Sequence, residues 1–74
     1  MENNSFNYEI VEHIGTLKQA GNITTELNII SFNGGEPKYD LRKWDKPANR
    51  MYKGISLSKE EIKTLKDLLN EIKL

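Results

Sequence analysis

No cysteine occurs in this chain of 74 residues, and that absence limits how so small a domain can be stabilised. A domain of this size buries only about 60% of the surface that its unfolded chain exposes, so small domains usually add disulfides, a metal or a partner subunit. Disulfides and thiolate sites are excluded, and a zinc site of His13 with carboxylates alone is not typical of structural zinc. The sequence therefore predicts a homodimer with no metal and no cofactor.

The chain has neither a run of about 18 apolar residues, as a membrane span requires, nor the pattern of a signal peptide. Residues 1–6 are mostly polar and are predicted to form a flexible N-terminal tail. Residues 7–74 are predicted to form a single domain. Without cysteines or a leader, we expect a cytoplasmic protein with no membrane partner.

The C-terminal segment carries the clearest secondary-structure signal. Ser58 and Glu61 have the spacing of a capping box, in which each side chain accepts a hydrogen bond from the backbone N–H of the other residue. An apolar stripe at helical spacing follows, made of Ile62, Leu65, Leu68, Leu69 and Ile72. The pattern predicts a helix over residues 59–73. Because so short a helix is unstable alone in water, something must cover its stripe, and a sheet is the available candidate.

Strand signals precede the helix. Residues 24–32 are rich in β-branched side chains, and the Asn-Gly-Gly sequence at 33–35 supplies the positive-φ positions of a hairpin turn. A second strand is predicted over 38–44, a polar turn over 45–49, and a third strand over 50–57 that leads into the helix cap. These segments form a predicted meander of three strands followed by a helix.

Residues 7–19 are compatible with either a helix or a strand. Ile10, Val11, Ile14 and Leu17 have helix-like spacing. The β-branched residues in the segment favour a strand, and Gly15 would cost a helix about 1 kcal/mol relative to Ala. A long strand bent at Gly15 satisfies the same pattern, so periodicity alone does not choose between them.

The charges are distributed unevenly along the chain. Residues 1–37 hold one cation and five acids, residues 38–57 hold six cations and two acids, and residues 58–74 hold four of each. The whole chain is neutral, yet its central segment has a net charge of +4. A local basic patch attracts the phosphate backbone of a nucleic acid. An ordinary solvated loop and strand surface would have the same composition.

Two motifs are more specific than the charge. Tyr-Asp-Leu-Arg-Lys-Trp at 39–44 is followed, after a short polar loop, by Lys-Gly-Ile-Ser-Leu-Ser at 53–58 and the capped Leu-rich helix. Together with Tyr-Glu-Ile-Val-Glu-His-Ile-Gly at 8–15, this layout resembles the positive cofactor four family of transcriptional coactivators, and in particular its short bacterial members of the YdbC type. The resemblance extends from about residue 7 to residue 72.

The resemblance implies an α+β fold in which a four-stranded antiparallel sheet is followed by one C-terminal helix packed on one face, paired as a homodimer. It makes the segment 7–19 a strand. It also implies binding of single-stranded DNA without sequence specificity. Among the site residues, Phe32, Arg42, Trp44 and Lys53 match positions of the family site, and Tyr52 stands where the family commonly has a basic residue.

Strand geometry is consistent with part of this site. Side chains alternate between the faces of a strand, so Lys38, Arg42 and Trp44 share one face, and Phe32 comes out on the same side if the opposite face packs under the helix. Exposed aromatic rings stack on bases for about 1–3 kcal/mol each, while Lys and Arg hold the phosphates between them. Lys53 does not follow strict alternation, and a bulge at Gly54 would release it.

Other interpretations remain open at this stage. Phe32 and Trp44 are equally the residue types of an ordinary core or dimer interface. The basic face could dock an acidic protein partner, and the same stacking chemistry would serve RNA. No arrangement of serine, histidine and acid suggests catalysis. The sequence therefore predicts a non-enzymatic protein that binds single-stranded DNA, in transcription, replication or repair, through Phe32, Lys38, Arg42, Trp44 and Lys53.

Overall fold

The computed structural model describes residues 7–74 as a sheet followed by one helix; the predicted tail at 1–6 lies outside the described residues. The elements in chain order are β1 (Tyr8–Ala20), β2 (Ile23–Phe32), β3 (Lys38–Asp45), β4 (Arg50–Met51), β5 (Ile55–Leu57) and α1 (Lys59–Glu71). The strands β1, β2 and β3 are neighbours in an antiparallel meander, and both β4 and β5 pair with β3. The predicted α+β fold class is confirmed.

The predicted strand over 50–57 is interrupted in its middle. The two short strands β4 and β5 pair with different stretches of β3, and residues 52–54 between them are not in the ladder. Within the interruption, Gly54 lies directly against β3. A Cβ added at Gly54 would overlap the Cβ of Arg42 and come 2.7 Å from the carbonyl oxygen of Leu41. Only glycine allows the chain to press this closely on β3.

The first segment is a strand, and its irregularity explains the helix-like pattern of its apolar residues. β1 uses 13 residues to pair with the 10 residues of β2, and the pairing skips Val11, Ile14 and Leu17. Each skipped residue marks a β-bulge, which adds one residue to one strand and bends it. Three bulges at three-residue intervals give the strand a period of three, which resembles the spacing of a helix.

The sheet is strongly coiled. Tyr8 pairs with Phe32, whereas Trp44 pairs with Thr24, at the other end of β2. Eight residues of straight strand would separate these positions by about 26 Å. The rings of Tyr8 and Trp44 nevertheless lie 5.6 Å apart between centroids, so opposite corners of the face meet.

Coiling gives the sheet a concave inner face that carries the buried residues of the chain. Side chains of this inner face alternate with outward-facing ones along β2 and β3, as the burial pattern shows. Among residues 7–74, the buried ones are Glu26, Asn28, Ile30, Asp40 and Trp44. Three of the five are polar or charged, so hydrogen bonds rather than apolar packing satisfy much of this face.

The outer face carries Leu27, Ile29 and Leu41, and α1 lies on this side. The helix begins as predicted, because Ser58 Oγ accepts a hydrogen bond from Glu61 N and Glu61 Oε1 accepts one from Ser58 N. Among the described elements, α1 contacts only β3 and β5, and none of its residues is buried. The stripe that the sequence predicted to be covered is therefore left open by the sheet of its own chain.

Among residues 7–74, no helix has the length and apolar character needed to cross a membrane.

Candidate nucleic-acid interface

Arg42 is the best-anchored cation of the predicted site. Its Nε donates to Asp40 Oδ1 and its second guanidinium nitrogen donates to Asp40 Oδ2, both at 2.6 Å. The Asp40 side chain is fully buried and that of Arg42 is 12% exposed. Bidentate pairing of this kind fixes the plane of the guanidinium, so Asp40 orients Arg42.

The same pair joins the strands on either side of the interruption. Ser56 Oγ donates to Asp40 Oδ2 at 3.1 Å, which links β3 to β5. The remaining terminal nitrogen of Arg42 donates to the carbonyl oxygen of Tyr52 at 3.2 Å, in the stretch between β4 and β5. A guanidinium has five N–H donors, and these contacts use three of them. The other two donors make no hydrogen bond to residues 7–74.

Phe32 and Arg42 meet although six residues of β2 separate their positions in the ladder. The guanidinium carbon of Arg42 lies 5.2 Å from the centroid of the half-buried Phe32 ring, a cation–π distance. Beside the ring runs an open groove of about 470 Å³, lined by Phe32, Gly35, Glu36, Lys38 and Ser56. We call this the Phe32 groove. The groove thus has an aromatic ring and the ammonium group of Lys38 in its lining, and the fixed guanidinium of Arg42 lies over that ring.

Lys53 is exposed and lies in the interruption between β4 and β5. Strict alternation along one strand would turn Lys53 inward. Because residues 52–54 are not part of the ladder, that alternation does not apply to Lys53. The sequence predicted the position of the irregularity, but as a bulge rather than as an interruption.

Trp44 lies on the predicted face, but the predicted exposure is not found in the single chain. Its side chain is on the inner face with those of Asp40 and Arg42, and only 3% of the residue is exposed. The Tyr8 ring packs against the indole at an interplanar angle of 51°. Trp44 is therefore part of the core of this chain, and its role in binding DNA stays a prediction.

The inner face also holds a polar cluster that the sequence did not reveal. Glu26 is 2% exposed and accepts hydrogen bonds from Thr24 Oγ1 at 2.6 Å, Lys46 Nζ at 3.0 Å and Asn28 Nδ2 at 3.3 Å. Burial raises the pKa of Glu26, but the hydrogen bonds from Thr24, Lys46 and Asn28 together outweigh it and lower the pKa below its ordinary value. Glu26 is thus a buried carboxylate kept ionised by its donors.

His13 extends this cluster to the edge strand. Because Asn28 Nδ2 donates to Glu26, the Asn28 Oδ1 atom is an acceptor, and His13 Nδ1–H donates to it at 2.6 Å. Nothing in the local sequence signals this network, since His13, Glu26 and Lys46 come from three separate segments.

Two comparisons with known proteins agree with this architecture. Residues 23–68 match the family described as Transcriptional Coactivator p15 (PC4), so the match includes both motifs, the Phe32 groove and most of α1. An uncharacterized protein of Treponema pallidum (strain Nichols) is 44% identical over 73 residues, which cover 97% of this chain and 86% of that protein. Members of the matched family bind single-stranded DNA and act as transcriptional coactivators. Since the family match covers more than half of the chain, this protein belongs to the Transcriptional Coactivator p15 (PC4) family.

Proposed function

We propose that this protein binds single-stranded DNA without sequence specificity, as a non-enzymatic homodimer that acts in transcription, replication or repair. The observation that carries the proposal is the Arg42 guanidinium, held by Asp40 on one side and stacked on Phe32 at the other. It supplies a positioned cation and an aromatic surface at one groove. A single strand needs both, because its bases are unstacked and its phosphates are charged.

Stacking supplies the contact that does not depend on sequence. Every base has a π-face, and one base on an aromatic side chain contributes about 1–3 kcal/mol. Phe32 is half-buried and lines the groove, so its ring is held where a base would approach. The two remaining Arg42 donors can then take a phosphate oxygen beside the stacked base.

Lys38 and Lys53 extend the positive charge from this point. Lys38 lines the Phe32 groove, and Lys53 is exposed in the interruption that Arg42 bridges through the Tyr52 carbonyl. Lys38 therefore flanks the aromatic ring, and Lys53 follows directly after the residue whose carbonyl Arg42 contacts. Each phosphate contact releases counterions, so we expect a log–log salt slope of about −0.7 per contact on a single strand.

The homodimer is supported by the apolar surface that the single chain leaves open. On α1, Leu68 is 55% and Ile72 is 52% exposed, and an open apolar groove lined by Leu27, Ile62, Leu65 and Leu69 separates the helix from the outer face. Contiguous apolar surface of this kind usually marks an interaction site. A second copy would cover it with an identical stripe, as the thin core of a small domain requires.

A titration of labelled oligo-dT, oligo-rU and duplex DNA at two salt concentrations tests the proposal. We expect oligo-dT to bind most tightly to the dimer, with an affinity that falls steeply with salt. Phe32→Ala should cost about 1–3 kcal/mol of that affinity, the usual contribution of one stacked base. Lys73→Glu on the helix, outside the proposed surface, serves as the control and should bind as the unaltered protein does.

The outcomes separate the alternatives. Tighter binding of oligo-rU would make RNA the ligand. Absence of oligo-dT binding, or binding that does not respond to salt, would remove the DNA assignment and favour an acidic protein partner for the basic surface. Unchanged affinity in Phe32→Ala would show that the groove is not the site.

A further inference from the structure

The hairpin turn between β2 and β3 contains the one Asn-Gly sequence of the chain, Asn33-Gly34. Both residues are exposed, and both have a positive φ, which is 52° for Asn33 and 74° for Gly34. Asparagine is a chemically labile residue, and a following glycine favours its reaction because no side chain shields the glycine nitrogen. The turn directly follows Phe32 and leads into the Phe32 groove.

A backbone donor holds the side-chain carbonyl of Asn33. The N–H of Asn7 donates to Asn33 Oδ1 at 2.9 Å, and the N–H of Asn33 donates back to the Asn7 carbonyl oxygen at 2.8 Å. When a nucleophile adds to an amide carbonyl, negative charge develops on the oxygen, and a donor at about 2.7–3.1 Å stabilises that charge. The Asn7 N–H is therefore placed to assist attack at Asn33 Cγ.

The nucleophile for this attack is the backbone nitrogen of Gly34. Among residues 7–74, its N–H has no acceptor, whereas the next N–H along the chain, that of Gly35, donates to the Phe32 carbonyl oxygen at 2.9 Å. No atom lies within 4 Å of the position that a Cβ of Gly34 would occupy, so water reaches this part of the turn. The nitrogen can therefore lose its proton to water without breaking a hydrogen bond to the described chain.

We propose that Asn33 is a site of spontaneous deamidation, and that the product weakens the binding of single-stranded DNA at the Phe32 groove. The Gly34 nitrogen forms a bond to Asn33 Cγ and gives up its proton through water, and Nδ2 leaves with a proton as ammonia. Water then opens the five-membered succinimide. Opening at Cγ gives aspartate, and opening at the main-chain carbonyl carbon gives isoaspartate, whose backbone runs through Cβ and Cγ. Water is the only co-reactant.

The effect on the groove rests on the proposed function. Either product adds a negative charge in the turn beside Phe32, where Glu36 is already an acidic residue of the lining and Lys38 is the cation. A phosphate that approaches Lys38 is then repelled more strongly. Isoaspartate also lengthens the backbone of a turn that is closed by the Gly35–Phe32 hydrogen bond and by Ser31 Oγ, which donates to the Gly35 carbonyl oxygen at 2.6 Å. The position of the Phe32 ring changes with that turn.

Asn49 is an internal control for the reaction. It has almost the same backbone conformation, with a φ of 54°, and it is also exposed in a turn, but Arg50 follows it instead of glycine. After incubation in mildly alkaline buffer, peptide mapping by mass spectrometry should show water in place of ammonia at Asn33 and not at Asn49. The rate at Asn33 should at least equal the rate in the same chain unfolded in urea, where the Asn7 contact is lost. An unmodified Asn33, equal rates at the two asparagines, or a slower rate in the folded chain would overturn the deamidation site.

Three variants test the effect on binding. Asn33→Asp carries the charge of the product and should lower the affinity for oligo-dT a few-fold at low salt, with a smaller loss at high salt. Asn22→Asp makes the same change in the turn at the other end of β2 and should bind as the unaltered protein does. Asn33→Gly tolerates the positive φ and has no amide to lose, so its binding should survive the incubation that weakens the unaltered protein.

The outcomes of the binding test are separate from those of the mapping. Equal effects of Asn33→Asp and Asn22→Asp, or unchanged oligo-dT affinity of the incubated, deamidated protein, would overturn the link to the Phe32 groove. Failure of the fresh, unaltered protein to bind any oligonucleotide would remove the proposed function, and the effect on binding with it, while the deamidation measured by mass spectrometry would still support Asn33 as the modified residue.

Discussion

The two faces of the sheet reverse the usual distribution of polar and apolar residues. The inner face buries Glu26, Asn28 and Asp40, while the outer side leaves the apolar stripe of α1 exposed. Coiling produces the first effect, because opposite corners of the inner face close over its centre. The second effect arises because α1 reaches only β3 and β5 and stands away from the rest of the sheet.

The difference separates the face whose polar groups pair within one chain from the surface that the proposed homodimer would cover. Apart from the Trp44 indole N–H, the buried polar side chains of the inner face are paired among the described residues: Asp40 holds Arg42, and Glu26 is held by three donors. Buried polar networks of this kind rigidify a fold when every member is paired. On the outer side, the apolar stripe of α1 is not covered by the sheet of its own chain. Substitutions on the inner face should therefore change stability or ligand binding, whereas substitutions on the outer face should change assembly.

Leu69→Glu should give the largest effect, which is a change of oligomeric state. If the oligomeric state did not change, the contrast between the two faces would not hold. In the proposed dimer a carboxylate at position 69 would lie in an apolar interface without a partner, and burying it unpaired is strongly unfavourable. We expect the variant to sediment at its chain mass of 8.6 kDa at micromolar concentration, and we expect the unaltered chain to sediment at twice that mass. Analytical ultracentrifugation measures both.

Lys63→Gln is the matched control for Leu69→Glu. It changes the helix charge by the same single unit without altering the stripe, so the dimer should persist. A Leu69→Glu protein that keeps the mass of the unaltered protein would show that α1 is not the interface. An unaltered protein of 8.6 kDa would remove the homodimer altogether.

Trp44→Ala is expected to have the next largest effect, on stability. Removing a buried aromatic ring typically costs about 3–5 kcal/mol through the cavity left behind. Trp44 is 3% exposed and packs on Tyr8, so we expect a loss of this size in the free energy of unfolding, measured in urea. Trp44→Phe should lose about 1 kcal/mol, since most of the apolar volume remains. A Trp44→Ala protein as stable as the unaltered one would return the residue to the role of an exposed stacking platform.

The burial of Trp44 illustrates which parts of the fold a sequence can predict. The helix and its cap follow from residues within 14 positions of each other, and β2 and β3 follow from composition and a glycine turn; all were predicted to within two residues at each end. The Tyr8–Trp44 contact joins residues 36 positions apart in the chain and depends on how far the sheet coils. Local patterns contain no information on that curvature.

The pattern of the first strand did not identify it as a strand, again because its geometry depends on a distant part of the chain. Its apolar residues repeat every three positions because bulges skip Val11, Ile14 and Leu17, and a bulge is defined by its partner strand rather than by its own sequence. The resemblance to a known family resolved the choice where periodicity could not. For the candidate site, Arg42 and Phe32 were brought together by the structure, while the buried cluster around Glu26 required knowledge of three separate segments.

Glu26→Gln tests the polar cluster of the inner face through the pH dependence of the free energy of unfolding. The folded state lowers the pKa of Glu26 below its ordinary value of 4.5, so the ionised carboxylate stabilises the fold above that pH. The contribution is lost as the pH falls through the lowered, folded-state pKa. We expect the unaltered protein to lose stability in this acid window and Glu26→Gln to lose less.

At neutral pH Glu26→Gln should cost about 1–3 kcal/mol, because hydrogen bonds to a charged acceptor are replaced by weaker ones. Urea unfolding at several pH values measures both effects. Glu36→Gln removes one carboxylate from the exposed turn after β2 and is the control for net charge. Identical acid profiles for the unaltered protein and Glu26→Gln would mean that the cluster does not hold the carboxylate ionised.

Lys53→Gln should have the smallest effect, on ligand binding alone. The side chain is exposed, so the substitution leaves no cavity and no unpaired buried group, and the melting temperature should stay within about 1–2 °C. If Lys53 contacts one phosphate, the log–log salt slope for oligo-dT should become shallower by about 0.7, and affinity at low salt should fall a few-fold. Lys73→Gln, an identical change on the helix, should leave both quantities unchanged. Equal effects of the two substitutions would mean that net charge alone attracts the strand, and that the position of Lys53 beside the Arg42 bridge has no part in binding.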